Sequence, residues 1–418
     1  MPALKSLVDA SASATLESVL PTNSMSAWTS MMTGVNPGKH GVFDFVRPSG
    51  TPFRTLVTNS ARIRYPTLGE VLTNAGLRSC FIDMPPFYPP FEIDGVMLGG
   101  MGAQGLDRLS YPVDAAAVVR EKAGGYADDV PWLQYGGRDE EFEAGLIALT
   151  DNRVRVAEAM LDDRPFDLFC CVFVTPDRAQ HALWRDITED GPRRPIAERV
   201  FRSLDDAVAR LLEQIDVRET DVLVVSDHGF RMVNNLVGVN EVLARAGLTR
   251  PPHIALTDRI VGFFLQKAPL PTSLRRAAVT RLMTGVVRKP RSLEPGSRTY
   301  SDRSESVNVN LVGRETTGIV PPEQFDEIID AAIAALTEFE DPSIGVRPIT
   351  RVSRRSEYVH GEFAMEAPDL VLEFADGYAY SGLLGKEVVP WPPLQGVHRR
   401  AGVIACAGPH FPGQRAHR

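Results

Sequence analysis

Short, continuous apolar runs that end on polar residues alternate along this chain with stretches whose apolar positions recur every three to four residues. FDLFCCVFVTPD (166–177) and DVLVVSDHG (221–229) are the clearest runs, and RSCFIDMPP (78–86), PDLVLEF (368–374) and GVIACAG (402–408) read the same way. An unbroken run of this kind suits a strand covered on both faces. Helical spacing lies between the runs, at 66–76, 139–160, 196–215 and 322–339. The alternation predicts an α/β fold, with a mostly parallel sheet sandwiched by helices. The segment from 248 to 299 breaks the pattern: it is rich in Pro and Arg and predicts an inserted cap or surface excursion within a single domain spanning 1–418.

Size and composition narrow the function classes. The 418 residues suffice for a large core. A formal net charge of −8 argues against a nucleic-acid surface, while leaving room for a small anionic substrate beside a metal. Four cysteines, two of them adjacent in an apolar run, predict buried thiols rather than a disulfide framework. No run reaches the eighteen or so apolar residues of a membrane helix, and MPALKSLVDASAS lacks a secretory h-region, so the expected location is cytoplasmic.

The candidate chemistry sits where two strong runs end. In an open sheet, ligands bind beyond the carboxyl ends of the strands. The first run delivers Asp177, with His181 four residues later; a helical turn there would put both on one face. The second delivers Asp227 and His228, with Gly229 expected to let the backbone turn. His398 precedes the run at 402–408. Carboxylate and imidazole donors together suit Zn²⁺ or Mn²⁺ better than Ca²⁺ or Mg²⁺. Asp-His-Gly alone is more often a strand-end turn with a capping Asp, and an i, i+4 Asp/His pair more often a solvated helix face. The weight lies in their shared position at strand ends, among eight histidines in all. Ser24, in PTNSMSAWTSMMTGVNPGKHGVFDF (21–45), falls at or near the start of a helix, where free N–H groups favour a phosphoryl group. A hydroxyl there, beside a metal, can attack phosphorus; the plainer alternative is a helix cap.

Taken together, LPTNSMSAWTSMMTGVNPGKHGVFDF, VTPDRAQH, VVSDHGF, VNVNLVGRETTGIV, APDLVLEF and GVHRRAGVIACAGP resemble, in order, the type I phosphodiesterase/nucleotide pyrophosphatase branch of the alkaline phosphatase superfamily. The resemblance implies that Ser24 is the nucleophile of a covalent phosphoryl-enzyme route. Asp177, His181 and His398 would hold one divalent ion, and Asp227 and His228 the second. It implies a small phosphorylated substrate, with specificity set by the cap and loops. The sulfatase branch needs Pro and Arg at fixed spacing after its nucleophile, whereas Met25, Ser26, Ala27 and Trp28 follow Ser24 here. Measured against the family, the chain as written would lack the first core strand, whose Asp ligates the second ion, and a final C-terminal stretch. That implies a weakened second site, and as the alternative function a catalytically impaired member that binds metal and a phosphorylated ligand without efficient turnover.

Overall fold

The computed structural model describes residues 1–9, 11–52, 54–101, 108–135, 137–250, 293–302, 304–381, 386–390 and 394–411. The run at 78–86 yields the strand Ser79–Ile82, which pairs in parallel with Gly95–Leu98 on one side and Leu168–Cys171 on the other. Its side chains alternate between two cores. Cys80 and Ile82, with Val96 and Leu98, pack against Val156 and Met160 of the long helix Asp139–Asp163. Phe81 and Met97 face the other way, onto Trp28, Met32 and Phe87. Burial on both faces accounts for the unbroken apolar run.

A second sheet places Ala401–Ala407 between Ala12–Glu17 and Val222–Val225, antiparallel to both. A third, long strand, Gly229–Gly238, pairs in parallel with Gly377–Ser381 and antiparallel with Val388–Pro390 and Gly396–Arg399. Four further strands, Thr299–Tyr300, Ser306–Val309, Ile349–Arg354 and Leu370–Phe374, form another sheet, and the last three pack against the helix Phe325–Glu338. The α/β class holds, but the sheets are mixed. Among the described residues, parallel strand pairs are those around Ser79–Ile82 and the Gly229–Gly238/Gly377–Ser381 pair, with one isolated parallel bridge between Leu311 and Val320. Apolar runs report burial and say nothing about the direction of the partner strand, which is why the sequence overstates parallel pairing.

Leu168–Cys171 and Val222–Val225 each pair on one side only among the described residues, and Leu223 is 52% exposed. Leu168, Cys170, Val174 and Val225 nevertheless pack on one apolar cluster. The carboxyl ends of these two edge strands therefore open toward the same place.

Most of the expected cap, residues 251–292, lies outside the described residues. Its two ends meet: Thr249 donates to the carbonyl of Thr299 at 2.6 Å, and the Arg250 N–H donates to Ser297 Oγ at 3.0 Å. All four cysteines are free, and no helix among the described residues is long and apolar enough to cross a membrane.

The helix Ser24–Thr33 is fixed in place by a buried histidine. His40 Nδ1 accepts from the Val42 N–H at 3.1 Å, so Nε2–H donates to Ser30 Oγ at 2.8 Å. Burial pushes His40 down from 6.5 to about 4. The unfolded chain binds a proton below pH 6.5 that the folded chain refuses until about pH 4, so stability is lost as pH falls through that window. The full span corresponds to about 3 kcal/mol. Urea melts at pH 7 and pH 4.5 should show a smaller acid loss in His40→Asn than in the parent; an unchanged loss would remove His40 from the account.

Candidate active site

The helix Ser24–Thr33 begins at the mouth between the two edge strands. Its N-cap is Asn23, whose side chain accepts from the Ser26 N–H at 3.0 Å, and Gly34 closes it in the left-handed region at φ 66°. Ser24 is therefore the first helical residue, and its hydroxyl is not spent on capping. By their place in the helix, the N–H groups of Ser24 and Met25 have no intrahelical acceptor. Ser24 Oγ lies 3.3 Å from His228 Nε2.

The strand at 168–171 ends earlier than the apolar run suggests. Thr175 and Pro176 open a new helix, Thr175–Thr188, because proline's fixed φ suits a first helical turn. Asp177 and His181 thus share one helix face. His181 Nδ1–H donates to the carbonyl of Gly396 at 2.9 Å, which leaves the Nε2 lone pair facing inward. His398 lies within the strand Gly396–Arg399, opposite Phe230, and just ahead of the strand Ala401–Ala407. Its Nε2 sits 3.1 Å from His181 Nε2 and 3.4 Å from Asp177 Oδ1.

Asp227 and His228 occupy the link between Val222–Val225 and Gly229–Gly238. Gly229 matters here for close approach rather than for a left-handed turn, since a Cβ on it would lie 2.0 Å from the Ala401 carbonyl oxygen. Asp227 Oδ2 is 3.3 Å from His228 Nε2, and the His228 ring stacks on His398 with centroids 3.6 Å apart. All six residues singled out in the sequence therefore meet at one mouth.

The electrostatics suit cations. Burial alone would raise the Asp177 carboxyl, but His181, His398 and Arg178 hold it well below the usual carboxylate range. Burial lowers His181, and lowers His398 to about 3, so both imidazoles stay neutral with lone pairs to give. Burial raises Asp227 against the opposing pull of His228 and Ser24. Asp177 Oδ1 and Asp227 Oδ2 are buried side-chain oxygens without a hydrogen-bond partner. An orphaned carboxylate oxygen facing neutral imidazoles is costly unless a cation completes it. The donor atoms of Asp177, His181 and His398 lie within 4.8 Å of one another, the one such three-residue group among the described residues.

The sequence model of the type I phosphodiesterase / nucleotide pyrophosphatase family matches residues 1–395. The chain belongs to this family. It is a family of metal-dependent hydrolases acting on phosphoric ester bonds. No curated protein matches the chain by sequence. Solved structures that share its fold include the following two. Phosphonoacetate hydrolase from Sinorhizobium meliloti 1021, in complex with phosphonoformate, is 14% identical with a TM-score of 0.55, covering 97% of this chain and 83% of that one. Human ectonucleotide pyrophosphatase / phosphodiesterase 5 is 11% identical with a TM-score of 0.50, covering 98% of this chain and 83% of that one.

Sequence reading missed the residues around the family's metal-ligand candidates. Asp129 and Trp132, in an aperiodic loop, touch Arg178 and His181 respectively. Only Arg178, next to Asp177 in TPDR, carried a local signal.

Proposed function

We propose that this chain hydrolyses small phosphoric esters through a phosphoseryl intermediate on Ser24. One observation carries the reading. The Ser24 hydroxyl, free of capping duty, stands at a helix N-terminus 3.3 Å from His228 Nε2, in the same mouth as the Asp177, His181 and His398 donor group. Asp177, His181 and His398 would hold one divalent ion, and Asp227, His228 and the Ser24 oxygen a second. The donor set of imidazole and carboxylate fits Zn²⁺ or Mn²⁺. Bound there, the ions supply charge neutralisation for the phosphoryl oxygens and activation of the attacking hydroxyl and water.

The chain's own residues do the rest. The Ser24 and Met25 N–H groups receive the anionic phosphoryl oxygens at the helix N-terminus. Ser24 Oγ forms a bond to phosphorus as the bond to the leaving oxygen breaks, and the Ser24 proton ends on the departing alcohol. Water then adds to phosphorus, the Ser24–phosphorus bond breaks, and Ser24 takes up a proton from that water. The meeting of Thr249 with Thr299 at the neck of the 248–299 segment supports reading it as an insertion in one domain.

Chelation should abolish hydrolysis of p-nitrophenyl phosphate and bis-p-nitrophenyl phosphate, and Zn²⁺ or Mn²⁺ should restore at least one of them. Full activity after exhaustive chelation would contradict the proposal. A second reading, a protein that binds one ion and turns over poorly, draws on the fact that Asp227 and His228 lack a third His, Cys, Asp or Glu ligand among the described residues. Metal analysis separates the two: one tightly held ion per chain favours that reading, and two exclude it.

A further inference from the structure

The reading above concerns the ligands; what surrounds Asp177 adds a constraint on how it can bind. Arg178 is not a free surface arginine. Its Nε lies 3.1 Å from both carboxylate oxygens of Asp129, and one of its terminal nitrogens donates to Asp129 Oδ2 at 2.6 Å. The other terminal nitrogen donates to Asp177 Oδ2 at 2.5 Å. The same Asp177 keeps Oδ1 without a hydrogen-bond partner, 3.6 Å from His181 Nε2 and 3.4 Å from His398 Nε2. The two oxygens of one carboxylate are thus divided between an arginine and the donor group.

The loop that carries Asp129 braces a second member of that group. The Asp129 carboxylate accepts from the Val130 N–H at 2.8 Å, and the Trp132 N–H donates to the Val130 carbonyl at 2.7 Å. Trp132 packs on the apolar cluster of Phe142, Leu146 and Leu183. Its ring stacks on His181, with centroids 5.4 Å apart and planes 11° from parallel, and lies 5.8 Å from the Arg178 guanidinium carbon. One short loop therefore holds Arg178 by charge and His181 by stacking.

We infer that Arg178, braced by Asp129, is a positioning residue that keeps Asp177 a one-oxygen ligand and so tunes the site toward small, low-coordination cations. A planar guanidinium has the fork needed to hold two carboxylates at fixed angles, which a lysine ammonium lacks. With Oδ2 committed to Arg178, Asp177 offers one oxygen beside two imidazole nitrogens, a donor count suited to Zn²⁺. Releasing Oδ2 would let Asp177 bind through both oxygens, as larger oxygen-seeking cations such as Ca²⁺ favour. The inference rests on the ion site proposed above.

The test is direct titration of the metal-free full chain with Zn²⁺ and, separately, Ca²⁺, with no substrate present. It is run on the parent, Arg178→Gln, Arg178→Lys and Asp129→Asn. Arg178→Gln should weaken Zn²⁺ about 10- to 100-fold, with Ca²⁺ affinity unchanged or raised. Arg178→Lys should recover only part of the loss, and Asp129→Asn, close to isosteric, should weaken Zn²⁺ in the same direction should Arg178→Gln fail to fold. Equal Zn²⁺ affinity in parent and Asp129→Asn overturns the clamp while leaving the ion site standing. Equal losses for Zn²⁺ and Ca²⁺ reduce it to a structural role and also overturn it. A parent that binds no Zn²⁺ overturns the ion site itself, and the clamp with it.

Discussion

Replacing Ser24 with Ala should lower kcat on p-nitrophenyl phosphate about a thousandfold or more, close to 4 kcal/mol of transition-state stabilisation. The size follows from what the hydroxyl does and does not do in the fold. Asn23 caps the helix, so removing the Ser24 hydroxyl breaks no cap; what it gives up is contact with His228, at 3.3 Å, and with the Asp227 carboxylate. Folding stability should therefore change little, within about 0.5 kcal/mol as for substitutions away from structural features. What disappears is the atom that would bond to phosphorus. Residual turnover would reflect direct attack by water in a site whose charges remain in place. Metal titration of Ser24→Ala should match the parent at the Asp177, His181 and His398 group, which separates loss of a nucleophile from loss of an ion. A Ser24→Ala enzyme within tenfold of the parent would remove Ser24 from the chemistry.

His398→Ala should weaken Zn²⁺ binding roughly a thousandfold, since a three-ligand site deprived of one imidazole loses a large share of its binding free energy. The backbone of His398 pairs with Phe230 in the sheet, and alanine preserves that pairing. The ring also stacks on His228 and touches His181, so its loss loosens both candidate sites at once. Activity at limiting metal should fall with the affinity. Excess Zn²⁺ should restore part of it, because Ser24, Asp227 and His228 are still present. Unchanged Zn²⁺ affinity, measured by competition with a chromophoric chelator, would place the ion elsewhere.

The residues that meet at the mouth are more legible in the sequence than the architecture that brings them there. Strands are legible where they leave an unbroken apolar run, and Cys80, Phe81 and Ile82 pack to both sides as such a run requires. Leu168–Cys171 and Val222–Val225 leave the same run although they lie at sheet edges and are only partly buried. The start of the helix Ser24–Thr33 is legible to within a residue, whereas its cap, Asn23, and the helix that opens at Thr175-Pro176 inside the apolar run are not. The rest depended on contacts between residues far apart in the chain. Nothing in the sequence says that Ala401–Ala407 runs antiparallel between two strands, or that His398 sits within a strand opposite Phe230. Gly229 is needed for a carbonyl that arrives from Ala401, which no local pattern announces. Asp129 and Trp132 escaped for the same reason. They act through Arg178 and His181, and their own loop has no period to read.

The most direct measurement follows the phosphoryl group itself. The parent enzyme is quenched in acid during turnover of p-nitrophenyl phosphate, digested and mapped by mass spectrometry. The account predicts one added phosphoryl group, on Ser24, in the peptide spanning that helix, absent without substrate and absent in Ser24→Ala. Sustained turnover by a Ser24→Ala enzyme at the parent's rate, with no phosphoryl group on Ser24 in the quenched parent, would contradict it.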